Sequence, residues 1–258
     1  MSILDKIVAV KKKEVAELKG NLPQDVLEKM VQNLPPTRDF KAAINNGHCS
    51  IIAEVKRKSP SKGELVKDFD PVRLASVYAE NGAAAVSVLT DRQFFGGSKI
   101  YLEAIKEAVD LPLLRKDFII DPYQIYEARI HGADAILLIA AVLNSLKLIQ
   151  SIQLAEQLRL MPLVEVHDRL ELKKALSCGA KIIGINNRNL ETFATDVQTS
   201  IDLMSMMPED RIVISESGIA DRKTVKKLMK AGIRTFLIGE SLMTAPDPAV
   251  KLREFLDS

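Results

Sequence analysis

From Ser50 onward, short apolar runs alternate along the chain with longer stretches of helical periodicity. The first run, residues 51–61, is rich in β-branched residues and turns charged just before a polar loop. Because side chains alternate along a strand, Ile52, Glu54 and Lys56 share one face of this run. The opposite face is wholly apolar and is predicted to pack against a helix. The strand therefore carries a carboxylate and an ammonium at its carboxyl end.

Four later strands repeat this arrangement, with an apolar or small residue followed two positions on by a polar one. The pairs are Leu114 with Lys116, Leu163 with Glu165, Gly184 with Asn186 and Ile214 with Glu216. Polar groups that end several strands at one edge indicate a single catalytic mouth.

Eight strand–helix units follow one another along the chain. Strands are predicted to begin near Ser50, Ala84, Leu111, Ala133, Pro162, Lys181, Arg211 and Arg234. Helices are predicted over residues 71–81, 98–109, 122–131, 145–158, 168–177, 197–206, 221–230 and 248–256. This α/β pattern favours a single (β/α)8 barrel over an open sheet, because the loop at residues 58–63 lacks a glycine-rich nucleotide motif.

Residues 1–47 precede the first strand and contain no strand of their own. Helical spacing predicts helices over residues 2–19, 24–32 and 40–44. We expect one domain over residues 1–258, in which this helical extension precedes a barrel at residues 48–258. The pattern leaves open whether the extension covers the mouth or packs on the barrel wall.

Composition narrows the possible partners. The 258 residues are 47% hydrophobic with a net charge of +2, which argues against nucleic acid or an anionic membrane as the main partner. The lysine run at residues 11–13 is expected to lie on a solvated helix face. Cys49 and Cys178 are expected to be buried free thiols, and with no signal peptide or membrane span the protein is expected to be cytoplasmic.

The strand-end groups are suited to proton transfer. The alternative is a structural ion pair that plugs the barrel. Burying a charge costs several kcal/mol, so one such pair would be tolerable, but stability does not explain the whole set. Lysines and carboxylates in a semi-enclosed pocket have pKa values open to tuning, which allows acid–base catalysis without metal or cofactor. The histidines His48, His131 and His167 form no ligand cluster.

The last two units carry a different signal. Small residues follow both strands, in SESGI at residues 215–219 and IGESL at residues 238–242. Such loops let backbone N–H groups approach a phosphate, although ordinary tight turns are the alternative. The amide of Glu240, and not its carboxylate, is expected to face the ligand. The polar loop at residues 58–63 and the loop FFGG at residues 94–97 are predicted to cover the mouth, where an aromatic substrate would need an aromatic wall.

Seven segments together resemble the indole-3-glycerol-phosphate synthase family, and the resemblance covers essentially the whole chain. They are AEVKRKSPS at 53–61, LTDRQFFGGS at 89–98, LLRKDFI at 113–119, LVEVH at 163–167, IGINNRNL at 183–190, SESGI at 215–219 and IGESLM at 238–243. The resemblance implies a lyase of tryptophan biosynthesis that converts 1-(2-carboxyphenylamino)-1-deoxyribulose 5-phosphate into indole-3-glycerol phosphate, CO2 and water.

The resemblance also implies roles for individual residues. Lys116 would be the general acid of ring closure and Glu165 the general base. Lys56 would neutralise the substrate carboxylate or phosphate and could also be the acid of dehydration, while Glu54 would orient and tune the lysines. Sugar hydroxyls would be held by Asn186 and Glu216, assisted by Arg188. The phosphate would contact Ser217, Gly218, Gly239 and Glu240, the carboxylate side Ser59, and the anthranilate ring Pro60, Phe95, Phe118 and Leu137.

Two rivals remain open from the sequence. One is another phosphosugar barrel enzyme that uses Lys116 or Lys56 as a Schiff base. The other is an inactive barrel that binds a partner through its extension. We expect a monomer that acts on a small phosphorylated molecule.

Overall fold

Eight parallel strands close into a barrel in the computed structural model, which describes residues 2–60, 62–66, 68–189 and 192–257. Each strand pairs with its neighbours in the chain, and the last pairs with the first. The strands are β1 (Ser50–Val55), β2 (Ala85–Leu89), β3 (Leu113–Lys116), β4 (Ala135–Ile139), β5 (Met161–Val166), β6 (Ile182–Asn186), β7 (Ile212–Glu216) and β8 (Thr235–Ile238). The predicted (β/α)8 barrel is confirmed.

Among the described residues, three α-helices precede the first strand, seven connect successive strands and two follow the last strand. In chain order they are α1 (Ile3–Asn21), α2 (Gln24–Met30), α3 (Phe40–Ile44), α4 (Pro71–Glu80), α5 (Lys99–Ala108), α6 (Pro122–Ile130), α7 (Ser145–Gln157), α8 (Arg169–Ser177), α9 (Gln198–Met204), α10 (Arg222–Lys230), α11 (Glu240–Met243) and α12 (Pro248–Leu256). The predicted boundaries hold to within about two residues. The pattern did not reveal α11 or a small hairpin that pairs Lys58–Ser59 with Gly63–Glu64, because both are shorter than any periodic signal.

The two faces of each strand pack against different partners, as the alternation predicts. Ile52, Leu114, Leu163 and Ile214 belong to one buried cluster inside the barrel. The apolar residues of opposite parity, such as Ile51 on β1, belong to the larger layer between the strands and the outer helices. The strand-end polar groups therefore point to the inside of the barrel.

The prediction that the lysine run of the extension is solvated is wrong for one residue. Lys11 is only 3% exposed, whereas Lys12 and Lys13 are exposed, so the lysine run does not lie entirely on a solvated face. The reason is the helical period, which places Lys11 between Ile7 and Val15 on the buried side of α1.

Three smaller predictions concern single positions and spans. Both cysteines are free, but only Cys178 is buried, since Cys49 is partly exposed. Across the described residues, no helix is long and apolar enough to cross a membrane. Ser61 and Leu190, each the last residue of a motif quoted above, lie outside the described residues.

Candidate active site

A cavity of about 330 Å³ opens at the carboxyl ends of the strands. The residues to which the resemblance assigns a role all line it. They are Glu54, Lys56, Ser59, Pro60, Phe95, Lys116, Phe118, Leu137, Glu165, Asn186, Arg188, Glu216, Ser217, Gly218, Gly239 and Glu240. The strand ends thus meet in one mouth, as the repeated pattern predicts.

Lys116 lies at the centre of this cavity, at the end of β3. Its Nζ donates to Glu165 Oε2 at 3.2 Å and also to Glu216 Oε2. Burial by itself would lower the pKa of Lys116, but the negative charges of Glu216, Glu165 and Glu54 outweigh it and raise the pKa above its ordinary value. Lys116 is therefore held as an ammonium that can donate a proton.

Glu216, at the end of β7, has a carboxyl group whose ionised form is disfavoured by its surroundings. Burial and the neighbouring Glu165 raise its pKa to about 7, although Lys116 opposes the shift. Glu216 Oε1 is buried and has no hydrogen-bond partner among the described residues. A Cβ at Gly184 would lie only 2.1 Å from that oxygen. The glycine on β6 therefore makes the space that Glu216 occupies.

Glu165 has the opposite tendency. Burial works to raise its pKa, but Lys116, His167 and a hydrogen bond from Asn186 lower it below the ordinary value of a glutamate. His167 lies just beyond the end of β5, with Nε2 3.4 Å from Glu165 Oε1. The pKa values of the two glutamates that flank Lys116 are thus shifted in opposite directions, and Glu165 is the more readily ionised of the two.

Glu54 and Lys56 form a second ion pair in the cavity. Their side chains are mostly buried, and Lys56 Nζ donates to Glu54 Oε1 at 2.6 Å. Gly239 lies against this pair, because a Cβ there would be 2.3 Å from Glu54 Oε1. The absence of a side chain at Gly239, just after β8, therefore leaves room for the Glu54 carboxylate.

The rim of the cavity is crossed by an ion-pair chain. Glu240 Oε1 accepts Lys62 Nζ at 2.6 Å, and Glu240 Oε2 accepts Arg188 at 3.2 Å. The three residues come from the loop after β1, the start of α11 and the loop after β6. Both nearby cations lower the pKa of Glu240 against its burial, which works in the opposite sense. The carboxylate is thus neutralised locally at the cavity edge.

The loop after β7 has a special backbone. Ser217 and Gly218 have φ values of 67° and 72°, in the left-handed region that a serine rarely adopts. Asn187, only 3% exposed, holds this loop: its Nδ2 donates to Ser215 Oγ at 3.0 Å and to the Ser217 carbonyl at 3.1 Å. Sequence reasoning missed Asn187, since its parity on the chain directs it away from the mouth.

One side of the cavity is apolar. The rings of Phe95 and Phe118 lie 6.0 Å apart, tilted against each other. Three residues that the sequence did not assign, Ile3, Leu4 and Ile7 of α1, line the same cavity. This decides the question left open above, because the extension covers part of the mouth. The apolar stripe of α1 was visible in the sequence, but not the surface on which it packs.

The cavity holds no arrangement typical of a metal site. Across the part of the chain that the structure describes, no three His, Cys, Asp or Glu side chains are grouped as metal ligands would be. Its groups are suited instead to moving protons beside an aromatic ring.

Comparison with known proteins agrees with this geometry. A sequence model of the family described as indole-3-glycerol phosphate synthase matches residues 4–255. The chain belongs to this family. An indole-3-glycerol phosphate synthase of Burkholderia lata is 50% identical over 255 residues, covering 97% of both chains, and that of Burkholderia multivorans is 49% identical over the same share. The family activity is a carboxy-lyase step of tryptophan biosynthesis.

More distant solved structures show the fold alone. A thiamine phosphate pyrophosphorylase from Pyrococcus furiosus superposes with a TM-score of 0.61 at 14% identity, covering 80% of this chain and 93% of its own. KGPDC from Streptococcus mutans gives 0.63 at 13% identity, with 81% and 96% covered.

Proposed function

We propose that this cavity closes the indole ring of 1-(2-carboxyphenylamino)-1-deoxyribulose 5-phosphate, with Lys116 as general acid. The observation that carries the proposal is the position of Lys116 between Glu165 and Glu216, in a cavity with an aromatic wall. A buried ammonium kept charged by carboxylates is a proton donor aimed at a developing oxyanion.

In the first step, the ring carbon that bears the carboxylate attacks the ribulose C2 carbonyl carbon. A carbon–carbon bond forms, and the carbonyl oxygen takes a proton from Lys116 Nζ to become a hydroxyl. The carbon–carboxylate bond then breaks, CO2 leaves, and its electron pair restores the aromatic ring.

Dehydration follows, with Lys56 as the acid and Glu165 as the base. Lys56 protonates the new hydroxyl, which leaves as water, while Glu165 takes a proton from the adjacent ring methylene carbon. Glu54, whose Oε1 lies 2.6 Å from Lys56 Nζ, orients that lysine. Two lysines give up protons and one glutamate gains one, so solvent supplies the single proton that the overall reaction consumes.

The remaining groups bind the substrate. We assign the sugar hydroxyls to Asn186 and Glu216, with Arg188 at the rim, and the ring carboxylate to Ser59. Pro60, Phe95, Phe118 and Leu137 would enclose the anthranilate ring. The phosphate would lie against the backbone of Ser217, Gly218, Gly239 and Glu240. The left-handed backbone at Ser217 and Gly218 supports this assignment, because strained loops of this kind are concentrated at ligand sites.

A Schiff-base mechanism fits the geometry less well. Such a lysine must be a neutral amine to attack a carbonyl, whereas the two carboxylates raise the pKa of Lys116. Borohydride added with a keto substrate should therefore leave the protein mass unchanged. Covalent trapping of substrate on a lysine would favour the rival.

The direct test is the appearance of indole fluorescence when the substrate is added. The chain contains no tryptophan, so new indole emission has almost no protein background. We expect emission and release of CO2 with the wild-type protein, and a much lower rate with Lys116→Met, which keeps the length of the side chain. No emission at high concentrations of enzyme and substrate would exclude the proposed reaction.

Partners and location are proposed on the same basis. The substrate is a small phosphorylated molecule, so the reaction itself calls for no macromolecular partner. We propose that the protein acts in the cytoplasm as a single domain and as a monomer.

A further inference from the structure

A lysine lies inside the apolar stripe of α1. Ile7, Lys11 and Val15, four residues apart, are the buried positions of this helix. Lys11 is 3% exposed, as buried as Ile7. A buried ammonium is costly unless charges and hydrogen bonds compensate it, so its surroundings indicate its purpose.

Three carboxylates surround the Lys11 ammonium. Its Nζ lies 2.9 Å from Glu14 Oε2, from Asp91 Oδ2 and from Asp117 Oδ1. Glu14 is on α1 itself, but Asp91 and Asp117 lie just after β2 and β3 and are buried. Lys11 therefore joins the extension to two neighbouring strand ends of the barrel.

The same two aspartates hold the aromatic wall of the cavity. Asp91 Oδ1 accepts the Phe95 amide at 3.1 Å, and Asp117 Oδ1 accepts the Phe118 amide at 2.8 Å. The rings of these two phenylalanines contact each other and line the cavity. The opposite oxygen of Asp91 faces Lys11, so one charged cluster fixes both phenylalanine backbones.

The two halves of α1 are held differently. Val15 and Leu18, beyond Lys11, pack with Leu27 and Tyr123 in an apolar cluster away from the mouth. Before Lys11, the first two turns instead place Ile3, Leu4 and Ile7 along the cavity. Lys11 lies between these two parts of α1 and joins the helix to the barrel through its ion pairs.

We propose that Lys11 is a positioning residue for the aromatic subsite, which fastens the first turns of α1 and the Phe95 and Phe118 backbones around the aryl ring of the substrate. The ring-binding part of this inference rests on the function proposed above. Lys11 does not touch the reacting atoms. It acts through the apolar side chains that enclose them.

The test compares Lys11→Met with Lys12→Met, the exposed neighbour on the same helix turn. We expect Lys11→Met to raise KM for the substrate about tenfold or more, with a smaller change in kcat, because a few apolar contacts are worth about 10- to 200-fold in discrimination. Affinity for inorganic phosphate should be unchanged, and affinity for the substrate with its keto group reduced should fall. Lys12→Met should match the wild type throughout.

Hydrogen exchange tests the connection without relying on activity. In Lys11→Met, amides in the first two turns of α1 should exchange faster, while those of the barrel strands keep their protection. Wild-type exchange in these turns together with a wild-type KM would overturn the proposal. Loss of phosphate affinity in parallel with substrate affinity would overturn it too, since that indicates general disruption.

A second variant keeps the proposal testable if Lys11→Met does not fold. Leu4→Ala shortens the apolar side chain on the cavity and leaves the charged cluster intact, so it should raise KM without weakening phosphate binding. An unchanged KM in Leu4→Ala would show that α1 has no role in holding the ring. Absence of turnover in the wild type would instead reject the proposed function and leave the exchange result to stand alone.

Discussion

At the scale of single residues, the chemistry of the cavity depends on Lys116 and on the carboxylates placed around it. Lys116→Ala should lower kcat by between about 10² and 10⁴, because a general acid acts mainly in the transition state. Steady-state kinetics with the natural substrate would measure this. A change confined to KM would contradict the role assigned to Lys116.

Gly239 provides a test of close packing. A Cβ there would come within 2.3 Å of Glu54 Oε1 and 3.0 Å of Glu54 Cβ, so Gly239→Ala must displace the carboxylate that orients Lys56. We expect a lower kcat and a loss of about 1–3 kcal/mol in the free energy of unfolding. Gly20→Ala is the matched control, since nothing lies within 4 Å of that position on α1, and it should be neutral or stabilising. Equal behaviour of the two variants would refute the steric argument.

The raised pKa of Glu216 has a consequence for stability. The unfolded chain titrates this group at about 4.5 and the folded protein at about 7, so the folded state binds more protons between these values. The free energy of unfolding contributed by Glu216 therefore falls as the pH rises from 4.5 to 7, by a few kcal/mol at most, since one pKa unit is worth about 1.4 kcal/mol.

Glu216→Gln should remove this pH dependence. The difference in unfolding free energy, variant minus wild type, should therefore be larger at pH 8 than at pH 5. Urea unfolding at both pH values measures it. Glu64→Gln, on the exposed hairpin, serves as the control and should show no such difference. A constant gap between Glu216→Gln and the wild type at the two pH values would contradict the assignment.

At the scale of elements, the loops after β6 and β7 and the start of α9 are joined through Asn187. Besides its two donated bonds, its Oδ1 accepts from the Ser200 amide at 3.1 Å and the Ser200 hydroxyl at 2.8 Å. Asn187→Ala would leave several buried groups without partners, which costs about 1–3 kcal/mol for each. We therefore expect a loss of at least about 2 kcal/mol in unfolding free energy and a higher KM.

The exposed Asn33→Ala is a suitable comparison for this variant. It should change stability by no more than about 0.5 kcal/mol. If Asn187→Ala unfolds like Asn33→Ala and keeps its KM, the loop does not depend on Asn187.

Elements were predictable from the sequence where their signal is local. The strands and most helices follow from hydrophobic period and terminal signals, and α3 and α12 coincide with their predicted bounds. The hairpin after β1 and the four-residue α11 were not predictable, because their hydrogen bonds depend on neighbouring loops and not on a repeating pattern.

At the scale of the whole molecule, the proposal that the protein is a monomer can be tested. Among the described residues, the exposed large apolar side chains are each on or beside a different helix: Leu22, Met30, Ile100, Leu146, Leu170 and Val250. Scattered residues of this kind are usual on monomeric proteins. Light scattering should therefore give a mass near 28.5 kDa, and a concentration-dependent doubling would contradict this.

The sequence by itself determined the order of strands and helices, the parity that directs Glu54, Lys116 and Glu165 to one mouth, and through its motifs the family. These are properties of period and local residue type. Only the tertiary structure decided that α1 covers the mouth, that Lys11 is buried among three carboxylates, and that Glu216 and Glu165 have pKa values shifted in opposite directions. Burial and charge at these positions depend on contacts with residues that are far away in the sequence. A local sequence pattern holds no information on those contacts.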